Sequence, residues 1–123
     1  MAKILLVDDD PLIQRLYSKA LQLSGFEVDI ARDGELGILK AHSYHPQLIL
    51  LDIMMPKKNG FEVLGELKHD PQTANIPIII LSNLAHESHA ETALDSGALD
   101  YVIKSDHEPN EVVQMIKKAL RVD

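Results

Sequence analysis

The sequence predicts an α/β domain in which a five-stranded parallel sheet is covered on both faces by helices. Three observations carry that expectation. Short runs rich in Leu, Ile and Val alternate with amphipathic stretches of about a dozen residues, the pattern of repeated βα units. Three of those runs are continuously apolar, as strands buried on both faces require. Aromatic residues make up only 4% of a chain that is 46% hydrophobic, so the core must be built from aliphatic side chains. At 123 residues the chain suits one domain, 1–123, able to bury a core without disulfide or metal staples.

Taken in order, β1 is expected over Lys3–Val7, β3 over Leu48–Leu51 and β4 over Pro77–Leu81, the three apolar runs. Glu27–Ala31 alternates polar and apolar residues and Leu99–Ile103 is partly polar. Both read as edge strands, β2 and β5. Asp10 before Pro11 reads as a helix N-cap with proline in the first turn. The stripe Ile13, Leu16, Tyr17, Ala20 and Leu21 follows as α1, and Gly25 ends it. Asp33 caps α2, which runs to His42 or Ser43. Asn59-Gly60 precedes α3, which runs through Lys68. Gly97 terminates α4 after Ala90, Ala93 and Leu94, and Pro109 opens α5 ahead of Val112, Val113, Ile116 and Leu120.

Charge and composition exclude several classes. A net charge of −7 argues against direct nucleic-acid binding, which needs a basic face. The chain has no cysteine, which fits a reducing compartment. Its apolar runs are too short to span a bilayer, and Lys3 with four apolar residues before Asp8 is not a signal peptide. A cytoplasmic protein without membrane contact is the expectation. His42/His45 and His86/His89 have helical i, i+3 spacing, but no third zinc ligand accompanies either pair.

Right-handed crossovers with β2 and β5 at the edges favour the strand order 2-1-3-4-5, the three-layer flavodoxin-like (βα)5 arrangement. That order makes β1 and β3 neighbours. Asp8-Asp9-Asp10 follows β1 and Asp52 follows β3, so the acids meet at the carboxyl ends of the strands, where open α/β sheets bind ligands. Two unit charges about 4 Å apart repel by roughly 4 kcal/mol at an effective dielectric near 20. A divalent cation would relieve the repulsion among Asp8, Asp9 and Asp52. Ser82 at the end of β4 and Lys104 at the end of β5 share the same rim.

Five segments in order resemble the receiver domain of bacterial response regulators, over roughly residues 3–120. They are Val7-Asp8-Asp9-Asp10; Leu51-Asp52-Ile53-Met54-Met55-Pro56 with Asn59-Gly60; Ile80-Leu81-Ser82; Ser96-Gly97-Ala98; and Tyr101-Val102-Ile103-Lys104. The resemblance implies a signalling domain in two-component systems, not an enzyme in the ordinary sense. Asp52 would accept a phosphoryl group from a histidine kinase or histidine phosphotransfer protein. Mg²⁺, with Mn²⁺ as a substitute, would be held by Asp9, Asp52 and the Met54 backbone carbonyl, with Asp8 acting through water. Lys104 would pair with the phosphoryl oxygens and Ser82 would donate its hydroxyl to them. Tyr101 would swing inward as Ser82 moves, switching an α4-β5-α5 surface for a downstream output domain or protein, or for a second copy in a homodimer.

Three departures from the family pattern carry expectations of their own. Ser105 stands where proline usually follows the lysine. Because a non-proline cis bond costs about 2.5 to 4 kcal/mol, Lys104-Ser105 is expected to be trans, with a rearranged loop through Glu108. Asn83 replaces a small residue and is expected to narrow access to Asp52. Met54 and Leu84 flank the site with side chains that cannot orient an attacking water, so a long-lived phosphoaspartate is expected. The other readings are an aspartyl phosphohydrolase of the haloacid dehalogenase type, a flavin module and a phosphorylation-independent interaction domain. The first wants a second acid where Met54 stands. The second needs a phosphate loop that Asp8-Asp9-Asp10 would repel.

Overall fold

The computed structural model describes residues 2–84 and 86–121. Its five strands are β1 Lys3–Val7, β2 Glu27–Ala31, β3 Leu48–Leu51, β4 Ile78–Ser82 and β5 Asp100–Ile103, all parallel, in the order β2-β1-β3-β4-β5. The helices are α1 Pro11–Leu23, α2 Gly34–Ser43, α3 Gly60–Lys68, α4 Glu87–Asp95 and α5 Pro109–Leu120. The expected fold class and strand order are both present.

Strand residues alternate between two cores because successive side chains leave the pleat on opposite faces. Leu5, Val7, Ile49, Leu51, Ile78 and Ile80 pack with Val63, Leu64 and Leu67 of α3, Ala41 of α2 and Ala93 of α4. Ile4, Leu6, Leu48, Leu50, Ile79 and Leu81 pack with Tyr17 and Leu21 of α1 and with Val112, Val113 and Ile116 of α5. Continuous apolar runs are therefore what this sheet demands: each strand residue feeds one core or the other.

Helix starts follow local chemistry. Asp10 accepts from the Leu12 amide at 2.9 Å and Asp33 from the Leu36 amide at 2.8 Å, so both are the caps the sequence indicated. Asn59 and Glu62 form a reciprocal capping box at α3, and at α5 the Glu108 amide donates to Glu111 Oε1 at 3.0 Å. Lys68 closes the α3 to β4 connection by donating to the carbonyls of Ala74 at 3.0 Å and Ile76 at 2.7 Å. Burial of that ammonium pushes its pKa down.

Three details differ from the sequence reading and one agrees. β4 starts at Ile78 and takes in Ser82, because Pro77 has no amide to give the ladder and contributes only its carbonyl, to the Ile49 amide at 3.0 Å. β5 starts at Asp100, one residue after Leu99. Leu16 is 46% exposed and Leu94 is 49% exposed, so neither joins the core stripe of its helix. No peptide bond among the described residues is cis, so the expected trans Lys104-Ser105 bond is found, and Lys104–Asp106 form a 3₁₀ turn.

Candidate functional site

Register alone brings the acids together. Val7 pairs with Leu51, so the residues that follow them, Asp8 and Asp52, leave adjacent strands side by side. The Asp8 amide donates to the Ala31 carbonyl at 3.0 Å and the Asp52 amide to the Val7 carbonyl at 2.9 Å, so both begin just past the sheet edge. Asp8, Asp9 and Asp52 each offer a carboxylate oxygen within 4.8 Å of the others. Asp8 and Asp52 are buried and Asp9 is exposed.

Lys104 enters from β5. Ser82 pairs with Ile103 in the β4–β5 ladder, which puts Lys104 at the same rim. Its Nζ lies 2.8 Å from Asp8 Oδ2 and 3.6 Å from Asp52 Oδ2. Burial pushes the Asp52 carboxyl up to about 6; Lys104 pulls it down, Asp8 adds to the rise, and the Ile53 and Met54 amides again lower it. Burial wins because one ammonium shared by two carboxylates does not fully neutralise both.

Of the remaining sequence candidates, Met54, Ser82, Asn83 and Leu84 line a pocket of about 210 Å³ with Asp9, Asp52 and Lys104, and Tyr101 lies outside that lining. Ser82 is buried, and its Oγ accepts from the Leu84 amide at 3.2 Å. Asn83 is exposed at the mouth, and Met54 is 63% exposed beside it. Tyr101 packs against the core and its hydroxyl donates to the Leu84 carbonyl at 2.5 Å. Tyr101 is half-buried, and this bond ties β5 to the β4–α4 connection.

Close approach on the far side of Asp52 depends on Gly60. Its amide donates to the Ile53 carbonyl at 2.8 Å, and a Cβ there would stand 2.3 Å from the Asp52 carbonyl oxygen. Any side chain would push α3 away from the acid. The sequence reading used Asn59-Gly60 as a helix start and missed this second constraint. It also missed Gln14, whose Nε2 donates to the Asp8 carbonyl at 2.7 Å. No pattern of spacing announces that contact, since the helix must first turn the side chain back over the loop.

The fit of a cation is judged from the donors themselves. Two buried carboxylates and one exposed carboxylate, converging at a water-accessible rim, match the oxygen-rich, partly hydrated set that a small hard dication takes.

A doubly wound parallel sheet with paired acids at its switch point and a lysine beside them defines an acidic ligand-binding α/β domain. Comparison with known proteins specifies it further. The family model described as response regulator receiver domain matches residues 4–117. The chain is 40% identical over 118 residues to the DNA-binding dual master transcriptional regulator RpaA of Synechocystis, covering 96% of this chain and 47% of that protein. It superposes with a TM-score of 0.90 on a CheY-like receiver domain protein from Methanospirillum hungatei, at 28% identity, covering 98% of this chain and 94% of that one. The Mn²⁺-bound form of response regulator Rcp1 superposes with a TM-score of 0.82 at 32% identity, covering 96% of this chain and 93% of that one. The chain therefore belongs to the response regulator receiver domain family. It spans about half the length of RpaA.

Proposed function

We propose that this receiver accepts a phosphoryl group on Asp52 and passes the signal to an output partner. The observation that carries the reading is the convergence of Asp8, Asp9 and Asp52 within 4.8 Å, with Lys104 reaching two of them. An Asp52 oxygen attacks phosphorus of a phosphohistidine on a histidine kinase or phosphotransfer protein. The P–N bond breaks and its electron pair goes to the ring nitrogen; with the other ring nitrogen already carrying a proton, neutral imidazole leaves and an acyl phosphate remains. Asp9, Asp52 and the Met54 carbonyl would hold Mg²⁺ directly, and Asp8 through water. A bound Mg²⁺ or Mn²⁺ would supply charge neutralisation for the transferring group, and the Mn²⁺-bound Rcp1 structure supports that preference.

Before transfer Lys104 is held by Asp8; afterwards the phosphoryl oxygens compete for it. Ser82, one residue from Asn83 at the pocket mouth, donates its hydroxyl to the phosphoryl group. That move shifts the Leu84 connection bonded to Ser82, and Tyr101, whose hydroxyl rests on the Leu84 carbonyl, swings inward with it. The strain passes to α4, β5 and α5, the surface offered to an output domain or a second copy. RpaA is named as a DNA-binding regulator, which supports a transcriptional output lying outside this segment. The negatively charged receiver itself makes no nucleic-acid contact in this reading, and it works in the cytoplasm. None of the described helices is long and apolar enough to cross a membrane.

Incubation with acetyl phosphate and Mg²⁺ tests the proposal. Intact-protein mass spectrometry should show one added phosphoryl group in the native chain and none in Asp52→Asn. Because Met54 and Leu84 present no group able to orient water, the adduct should decay slowly without a phosphatase. Failure to label Asp52 contradicts the proposed function; rapid decay contradicts the assignment to those two side chains.

A further inference from the structure

Asp9 is the least supported of the three acids. It is exposed, it lies in a bend between β1 and α1, and its side chain makes no hydrogen bond among the described residues. Its direction is therefore set by its neighbours. On one side, Asp10 is fixed twice: its amide donates to Asp8 Oδ1 at 2.9 Å and its own carboxylate caps α1. On the other, the peptide linking Asp8 to Asp9 is gripped at its carbonyl by Gln14 Nε2, at 2.7 Å. Gln14 lies one turn into α1, where its amide donates to the Asp10 carbonyl at 3.0 Å, so its backbone cannot drift from the loop it holds.

We infer that Gln14 is a positioning residue for the cation site, fixing the Asp8–Asp9 peptide plane so that the Asp9 carboxylate faces Asp52. The inference rests on the proposed use of these acids as cation ligands. Rotation of that one peptide is the simplest way to turn Asp9 away from the other two acids, and the Gln14 bond opposes it. An unclamped loop must be ordered when the cation binds, which weakens affinity without touching a ligand.

Gln14→Met keeps the length and helix propensity of the side chain and removes the donor. The variant should bind Mg²⁺ about three- to tenfold more weakly in a calorimetric titration, the range one neutral hydrogen bond supports. Its melting temperature in EDTA should stay close to that of the native chain. In the metal-free protein, the amide resonances of Asp9 and Asp10 should broaden or shift, while those of β4 and β5 stay in place. Unchanged Mg²⁺ affinity in the variant overturns the inference. So does a loss of affinity matched by an equal loss of metal-free stability, since that marks a general structural role. Absence of Mg²⁺ binding in the native chain would instead refute the cation site itself.

Discussion

Asp52→Asn is expected to stabilise the metal-free protein at neutral pH while abolishing phosphoryl uptake. Burial raises the Asp52 carboxyl to about 6 in the folded chain, against 3.8 for an aspartate free in water. The folded state thus binds this proton more tightly than the unfolded state does. Stability from this group is fully present below about pH 4 and is lost as pH rises to about pH 6, above which the whole penalty applies. That rise corresponds to roughly 3 kcal/mol at most, so a gain of about 1 to 3 kcal/mol at pH 7 is expected from the isosteric amide. Denaturant unfolding in EDTA, compared for the two proteins across this range, checks it. The curves should converge at the acid end and separate toward neutrality. A variant no more stable than the native chain at pH 7 would show that Lys104 already neutralises the acid.

The second large effect belongs to Lys104. Its ammonium lies between Asp8, which is 1% exposed, and Asp52, which is 7% exposed. Lys104→Met fills the same space but leaves two buried carboxylates facing each other. Removing one partner from a buried pair costs about 3 to 5 kcal/mol, because the remaining charge keeps its desolvation penalty. Urea unfolding should show a loss of that order in EDTA. Mg²⁺ should restore more stability to this variant than to the native chain, since the cation then does the work of the missing ammonium. Adding Asp52→Asn should recover part of the loss, so the two changes will not be additive. A loss under about 1 kcal/mol would mean that water reaches Asp8 and screens it.

What the sequence made legible was whatever depends on short-range pattern. β1, β2 and β3 have the ends their apolar runs imply, and the caps at Asp10 and Asp33 bond as their residue types suggest. Once β1 and β3 are adjacent, the meeting of Asp8 and Asp52 follows from register. What stayed hidden depends on tertiary placement. Leu16 and Leu94 fit a helical stripe by spacing, yet both are about half exposed, because spacing alone does not say how far the core beneath a helix extends. The strand order puts Lys104 on the rim of the acids, but which carboxylate it pairs with, Asp8 at 96 residues' distance, depends on side-chain placement. The Gly60 approach to the Asp52 carbonyl and the Gln14 bond to the Asp8 carbonyl involve backbone atoms, which every residue type shares. The capping box Asn59–Glu62 is different: its spacing is a known signature and was there to be read.

The whole account depends on three carboxylates acting as one site, and a calorimetric Mg²⁺ titration at neutral pH tests that most directly. The account predicts a single saturable site in the native chain, strongly weakened in both Asp9→Asn and Asp52→Asn. Absence of saturable uptake, or affinities that ignore either substitution, would contradict it.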